Sequence, residues 1–315
     1  LKMKKIAIIG AGMIGRAWSI VFAKKGYEVL LYDTNHQAIE NSIMQVSITS
    51  QELYKLGLLN EEPNKFIKKV SVTNNLQKAI EDVYYVQECG PEDLEIKKNI
   101  FFKLDELVNK NIAIGSSTSG IKASSFSTGL KNPERCLVVH PVNPPSLIPL
   151  VEIVPSDVTE KKITQFVFNL MEEIDQKPII VKKEIDGFIL NRLQGALLNE
   201  AFKLVSMGYV DSYDLDKTVK FGLGLRWSFM GPMETIDLNA PGGISDYAKR
   251  YGPIYHNVAS ELEAKKWDKS FYQIVEDEQR LVRSLEDNQS RQKWRDKRLM
   301  ALAKHKIESD KIYGE

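Results

Sequence analysis

The stretch "KKIAIIGAGMIGRAWSIVFAKKGYEVLLYD" (4–33) constrains the fold more than any other part of the chain. A β-rich run, 5–10, enters Gly10-x-Gly12-x-x-Gly15, a helix-period pattern follows, and a second β-run, 27–33, ends in Asp33. Each glycine has a separate steric task. Gly10 permits a tight turn, Gly12 lets another group approach the backbone, and Gly15 brings helix and strand into close packing. Strand, turn, helix and strand in that order form a parallel βαβ unit, the seed of an α/β fold.

The same turn has a chemical consequence. Unpaired N–H groups and the positive dipole end of the new helix favour a pyrophosphate. Asp33, 18 positions after Gly15, can accept both hydroxyls of an adenosine ribose. It repels a 2′-phosphate, and the "TNH" that follows offers no arginine to reverse the choice, so NAD is expected rather than NADP. The glycine spacing alone also occurs in structural turns of other α/β proteins. The strand before it, the helix after it and the closing Asp33 are what favour the binding reading.

Further short apolar runs at 83–88, 111–116, 136–140, 149–154 and 178–183 alternate with helical patterns. They predict a parallel sheet covered on both faces. A helical stretch is expected over about 36–69, broken by "EEPNK", and another over 91–108, with Pro91 and two acids in its first turn. From about 185 the pattern turns helical, with Gly208 as a helix-ending residue and Asp211 as a capping acid. The expectation is a Rossmann-type dinucleotide-binding domain, 1–184, followed by an all-helical domain, 185–315. The charge-dense last fifty or so residues read as solvated helix.

Composition removes other classes. With 43% hydrophobic and 27% charged residues, and without repeats or low-complexity tracts, the chain is neither disordered nor fibrous. A formal net charge of +1 gives no reason to expect nucleic acid or a membrane surface, and no apolar run nears the roughly 18 residues that span a bilayer. Cys89 and Cys136 are too few for a disulfide framework and suit a reducing compartment. The four histidines are too scattered for a zinc site. The N-terminus runs straight into a strand with no room for a signal peptide, so a cytoplasmic location is expected.

"VVHPVNPPSLIPLVEIV" (138–154) carries the candidate chemistry. His140 closes an apolar run, and Glu152 sits inside another whose two faces both look buried. Strand alternation puts Leu150 and Val154 on the side of Glu152, with Val151 and Ile153 opposite. Oxidation of an alcohol by a nicotinamide cofactor needs a base for the hydroxyl proton. Histidine is the usual one, best with its other ring nitrogen donating to a carboxylate. Spacing alone equally allows a core histidine and a rim glutamate that never meet. Ser119, in "IGSSTSG" at the end of a strand, can hold a substrate oxygen or merely cap a turn. Asn191, among the apolar residues of "DGFILNRLQGALL", can reach substrate or close a core hydrogen bond.

Seven ordered blocks, "GAGMIGRAWS", "LYD", "QECGPEDLEIKK", "SSTSG", "HPVNPPSLIPLVE", "GFILNRLQGAL" and "GLGLRWSFMGPMETIDLNA", resemble the 3-hydroxyacyl-CoA dehydrogenase superfamily, and within it the lambda-crystallin branch. The resemblance runs from Lys5 to roughly Gly243. It implies His140 as the base, Glu152 as its partner, and Ser119 and Asn191 as holders of the substrate oxygen. It further implies that Met13, Ile14, Asp33, Glu92 and Lys97 line the NAD site beside Gly10, Gly12 and Gly15, and that the helical domain mediates a homodimer. Acyl-CoA members usually carry two aromatic residues after the histidine, and here Pro141-Val142 stand before Asn143-Pro144. A free L-3-hydroxy acid of the gulonate kind is therefore the expected substrate, with an acyl-CoA or carnitine-type acid as alternatives. Arg226 is a candidate partner for its carboxylate, or else a helix-cap or dimer contact. A crystallin-like NAD(H)-binding role without catalysis is the alternative of another class.

Overall fold

The computed structural model describes residues 3–262 and 266–314. The chain divides into two compact units. One holds the residues up to Arg192 together with Asp296–Lys304, and the other holds Leu193–Arg295 and the residues from His305 on.

The first unit is built on eight strands: β1 Lys5–Ile9, β2 Glu28–Tyr32, β3 Val70–Thr73, β4 Tyr85–Glu88, β5 Ile114–Ser116, β6 Cys136–Pro141, β7 Leu150–Pro155 and β8 Lys177–Ile180. Their order is β3-β2-β1-β4-β5-β6-β7-β8. Strands β1 to β6 are mutually parallel. Between β1 and β4 the winding reverses, which opens a crevice at the carboxyl edge.

Three sequence expectations need correction. The sheet is not wholly parallel: β7 runs antiparallel to β6, and β8 parallels β7. A parallel return needs a crossover of about a dozen residues or more, and residues 142–149 are too few. Next, β3, "VSVT", was not anticipated and follows the predicted helical stretch, which divides into His36–Lys55, Pro63–Phe66 and a short 3-10 turn. The third correction concerns the 91–108 helix, which begins only at Leu94 because the Asp93 carboxylate caps it by accepting from the Ile96 N–H at 2.9 Å.

Alternate residues of β1 enter different cores. Ile6 and Ile8 pack with Trp18 and Phe22 of the Met13–Lys24 helix, while Ala7 and Ile9 pack with Phe101 and Leu104 of the Leu94–Leu107 helix. Trp18 is wholly buried, and truncating such a side chain typically costs about 3–5 kcal/mol.

Among the described residues no strand follows Ile180. The Leu190–Ser206 helix starts in the first unit and continues into the second. It ends at Gly208, whose φ of 74° is left-handed. Asp211 caps the next helix by accepting from the Asp214 N–H. The charged C-terminal region, read as solvated helix, contains the Asn288–Tyr313 helix, yet Met300 within it is buried in the first unit's core. None of the described helices is long and apolar enough to cross a membrane.

Candidate active site

The glycine turn is fixed by contacts only glycine permits. Gly10 has a φ of 118°, and a Cβ there would lie 2.4 Å from the Cys89 carbonyl oxygen. A Cβ on Gly15 would lie 1.9 Å from the carbonyl oxygen of Gly10. At Gly12 a Cβ meets no protein atom within 4 Å, so no protein packing demands glycine there. No side chain caps the Met13–Lys24 helix, and its first turn holds no acid, so its N–H groups face outward, suited to a phosphate. Asp33, just after β2, pins this cradle. Its Oδ2 accepts from the Ala11 N–H at 2.8 Å and its Oδ1 from the Asn35 N–H at 2.9 Å, leaving lone pairs on both oxygens for ribose hydroxyls. Ile14 is half-buried against the core, while Met13 is exposed. The Met13 sulfur accepts from the Asn143 side-chain amide at 3.3 Å. These features fit a dinucleotide.

The loop after β5 is fastened residue by residue. Ser116 donates to Glu88 Oε2 at 2.6 Å. The Ser117 hydroxyl accepts from the Gln87 amide at 2.7 Å and the Trp18 indole N–H at 3.1 Å. Glu92, left outside the late-starting helix, accepts from the Thr118 hydroxyl at 2.6 Å and from the backbone N–H groups of Ser119 and Gly120 at 3.1 and 3.2 Å. The Ser119 hydroxyl is only loosely held, 3.4 Å from the same oxygen, which leaves it available to a ligand. Asn191 donates its amide to the Ser119 carbonyl at 2.8 Å, so these two residues adjoin.

His140 and Glu152 meet because β6 and β7 are antiparallel and place them directly across from each other. Both lie on the face shared by Val138, Val154 and Phe188, with Val151 and Ile153 on the other. The imidazole Nδ1 is 2.8 Å from Glu152 Oε2, and the side chains are 7% and 0% exposed. A carboxylate only accepts, so Nδ1 carries the hydrogen, and in the neutral ring Nε2 presents its lone pair. The other carboxylate oxygen, Oε1, accepts from the N–H groups of Ile189 and Leu190 at 2.8 and 3.0 Å. Burial pushes the Glu152 carboxyl up, but the hydrogen bonds from His140, Leu190 and Ile189 outweigh it and hold the group below the ordinary range.

Sequence reasoning missed Phe188. It adopts a left-handed φ of 48° after Gly187 at 75°, an uncommon conformation for a bulky residue. That turn aims the next two N–H groups at Glu152, and the Phe188 ring packs 5.5 Å from the imidazole. Glu88 was missed as well, although a carboxylate ending the apolar run "VYYVQE" is the same kind of signal as Glu152. Lys97, expected on the wall of the cofactor site, is 1% exposed and bound to both oxygens of Glu88 at 2.9 and 2.8 Å. Helix amphipathicity could not foresee that its long side chain turns inward. Arg226 lies in the second unit, exposed on the short Gly224–Trp227 helix. Among the described residues no three His, Cys, Asp or Glu side chains could together hold a metal ion.

The chain matches known families over most of its length. The model of the 3-hydroxyacyl-CoA dehydrogenase NAD binding domain covers residues 5–185, and that of the C-terminal domain covers 187–274. The chain is 39% identical to the Homo sapiens lambda-crystallin homolog over 96% of both chains. It is 37% identical to the L-carnitine dehydrogenase of Oceanobacillus iheyensis over 83% of this chain and 85% of that one. Among solved structures it is similar to 5-formyl-3-hydroxy-2-methylpyridine 4-carboxylic acid 5-dehydrogenase, an NAD+-dependent dismutase, with a TM-score of 0.82, 27% identity and coverage of 95% and 97%. The glycine turn with its open second position and Asp33 agrees with the first domain match, and the chain belongs to the 3-hydroxyacyl-CoA dehydrogenase family of NAD-dependent dehydrogenases.

Proposed function

We propose that this protein oxidises a free L-3-hydroxy acid to the 3-oxo acid, with His140 as general base. The observation that carries the reading is the buried 2.8 Å contact between His140 Nδ1 and Glu152, which leaves Nε2 to take the hydroxyl proton. The Glu152 anion stabilises the resulting imidazolium and fixes the ring's tautomer. The Ser119 hydroxyl and the Asn191 amide hold the substrate oxygen in line with Nε2. Bound NAD supplies the acceptor for the hydride that leaves the same carbon. Gly12, the uncapped helix start and Asp33 would hold its pyrophosphate and ribose, with Met13, Ile14 and the Glu92 turn beside them. In the reverse direction the imidazolium returns its proton to the oxyanion.

A free acid is favoured over a thioester by Pro141-Val142, where acyl-CoA members carry aromatic residues, and by the L-carnitine dehydrogenase relative, whose named substrate is itself a free 3-hydroxy acid. A free carboxylate calls for a guanidinium, and Arg226 is assigned that role. NADH absorbance with L-gulonate, carnitine and 3-hydroxybutyryl-CoA side by side tests the reading. Turnover of a free acid supports it. Preference for the thioester, or tight NADH binding with no turnover, refutes it, and the latter points to a binding protein. Arg226→Leu should raise KM for the free acid well above any change with the thioester; equal effects remove Arg226 from the site.

Association with a second copy is part of the same reading. Phe221, Leu225, Phe229 and Met233 are all more than 60% exposed, and large exposed apolar side chains in close sequence mark an association surface. Sedimentation equilibrium should give the dimer mass; a monomer would refute the association.

A further inference from the structure

The run "VYYVQE" holds a polar side chain that the chemistry above does not use. Gln87 is wholly buried, and burying an amide is costly unless its polar atoms find partners. All of them do. Its Oε1 accepts from the Tyr85 hydroxyl at 2.6 Å, and its NH2 donates to the Ser117 hydroxyl at 2.7 Å and to the Val139 carbonyl at 3.4 Å. A carbonyl only accepts, so the amide cannot be turned the other way round. The Ser117 oxygen also receives the Trp18 indole N–H, which occupies its second lone pair and sends its own hydrogen to Cys89 Sγ at 3.2 Å.

Gly115 makes this crossing possible. It lies beside Gln87 on β5, and β6 is the next strand. A Cβ on Gly115 would lie 2.1 Å from the Tyr85 hydroxyl and 2.7 Å from Val139 Cγ2. The bare backbone of β5 thus leaves the slot through which side chains of β4 reach β6. Both ends of the bridge stop just short of groups assigned to the chemistry: Ser117 precedes Ser119 by two residues, and Val139 adjoins His140. A purely stabilising role explains the network poorly, because apolar side chains of the same shape would serve nearly as well. A fully satisfied buried network does confer rigidity. We infer that Gln87 sets the spacing between the Ser119 loop and the His140 strand, and so the reach of both groups to one substrate oxygen. The inference rests on the reading above that Ser119 and His140 act on substrate. Gln87 works through Ser117 and Val139 and is a positioning residue.

The test uses Gln87→Met, Ser119→Ala and the double variants Q87M/Y85F and Q87M/S119A in the full chain. The readouts are Tm, the NADH dissociation constant, kcat and KM, and amide exchange of residues 118–120. Gln87→Met keeps the length of the side chain and should lose kcat by about tenfold or more, as small misplacements of reacting groups do. Its 118–120 amides should exchange about tenfold faster, the size of one lost hydrogen bond. It should also melt lower, because the Tyr85 hydroxyl stays buried without its acceptor. Removing that hydroxyl in Q87M/Y85F should recover most of the Tm and leave kcat low. In Ser119→Ala the spacing has lost its purpose, so adding Gln87→Met should cost less than about threefold more in kcat, the non-additivity of residues that act as a unit. The NADH dissociation constant should stay within about threefold of wild type, less than a hydrogen bond to the cofactor is worth. Recovery of kcat together with Tm in Q87M/Y85F would reduce Gln87 to a structural role. A further loss of about tenfold in Q87M/S119A, the additive result, would show that Gln87 does not act through the serine loop. A rise of about tenfold or more in the NADH dissociation constant of Gln87→Met would move its effect to the cofactor. Wild-type enzyme that turns over no hydroxy acid would refute the substrate reading, and exchange would still decide this one: unchanged 118–120 amides in Gln87→Met overturn the tie, and faster exchange upholds it.

Discussion

Replacing Glu152 with glutamine removes one charge and almost no volume, yet the surroundings of the carboxylate make the exchange severe. Oε1 receives two backbone N–H groups and Oε2 receives one ring N–H. An amide has a single oxygen. Turned toward the backbone it keeps two hydrogen bonds, and turned toward the ring it keeps one and sets its NH2 against the N–H groups of Ile189 and Leu190. The difference of about one hydrogen bond, roughly 1–1.5 kcal/mol, favours the backbone by about tenfold. The amide NH2 then faces Nδ1, and the imidazole must shift its hydrogen to Nε2, where it can accept no proton. The lost attraction between carboxylate and imidazolium adds a further penalty, about 4 kcal/mol at 4 Å and an effective dielectric of 20. Together kcat/KM for alcohol oxidation should fall by about 10³–10⁴, as when the orienting carboxylate of other His-dependent sites is neutralised. The assay is NADH formation at saturating NAD, with NADH titration to show that the cofactor still binds. Activity within about tenfold of wild type would refute the tautomer argument, because the amide preference alone accounts for that much.

The glycine turn separates ligand space from protein packing: Gly12→Ala should leave Tm unchanged while weakening NADH binding by about tenfold or more, whereas Gly15→Ala, with its Cβ 1.9 Å from a carbonyl, should lower Tm as well. Equal melting of the two variants would contradict this. Asp105→Asn strands the buried Arg135 guanidinium, now 2.9 Å from that carboxylate, and should cost about 3–5 kcal/mol in denaturant unfolding; a loss under about 1 kcal/mol, the scale of a solvent-exposed pair, would show the pair to be dispensable. Burial raises the Asp105 and Glu152 carboxyls, but hydrogen bonds, from Asn132 and Arg135 for one and from His140 and two backbone N–H groups for the other, bring both below their ordinary values of 3.8 and 4.5. Such groups stabilise the fold above those values, and the contribution disappears as pH falls through their lower folded values. Tm should therefore drop on acidification, and Asp105→Asn should flatten that slope; an unchanged slope would refute the assignment.

Much of this architecture could be read from residues with a local cause. The glycine turn is steric, and its three positions behave differently for reasons written in their spacing. Gly208 and Asp211 end and start helices by local rules. An acid inside "LVEIV" announced a partner because a strand leaves it no exit to water. What escaped was set by tertiary contacts. The strand "VSVT" is too short to show a period. Antiparallel β7 depends on a loop length whose meaning emerges only beside its neighbours. Lys97 looks like any surface lysine until Glu88 is known to lie beneath it, and nothing local to Phe188 shows that its backbone takes a left-handed turn.

The antiparallel hairpin of β6 and β7 divides two kinds of freedom. Pairing across adjacent strands holds His140 opposite Glu152, and it asks of residues 142–149 only that they stay too few for a parallel crossover. Within that limit the connecting segment can change its side chains while the register still pairs acid with imidazole. A change of side chain in this turn and a change in the pairing of acid with ring are therefore separate events for the fold.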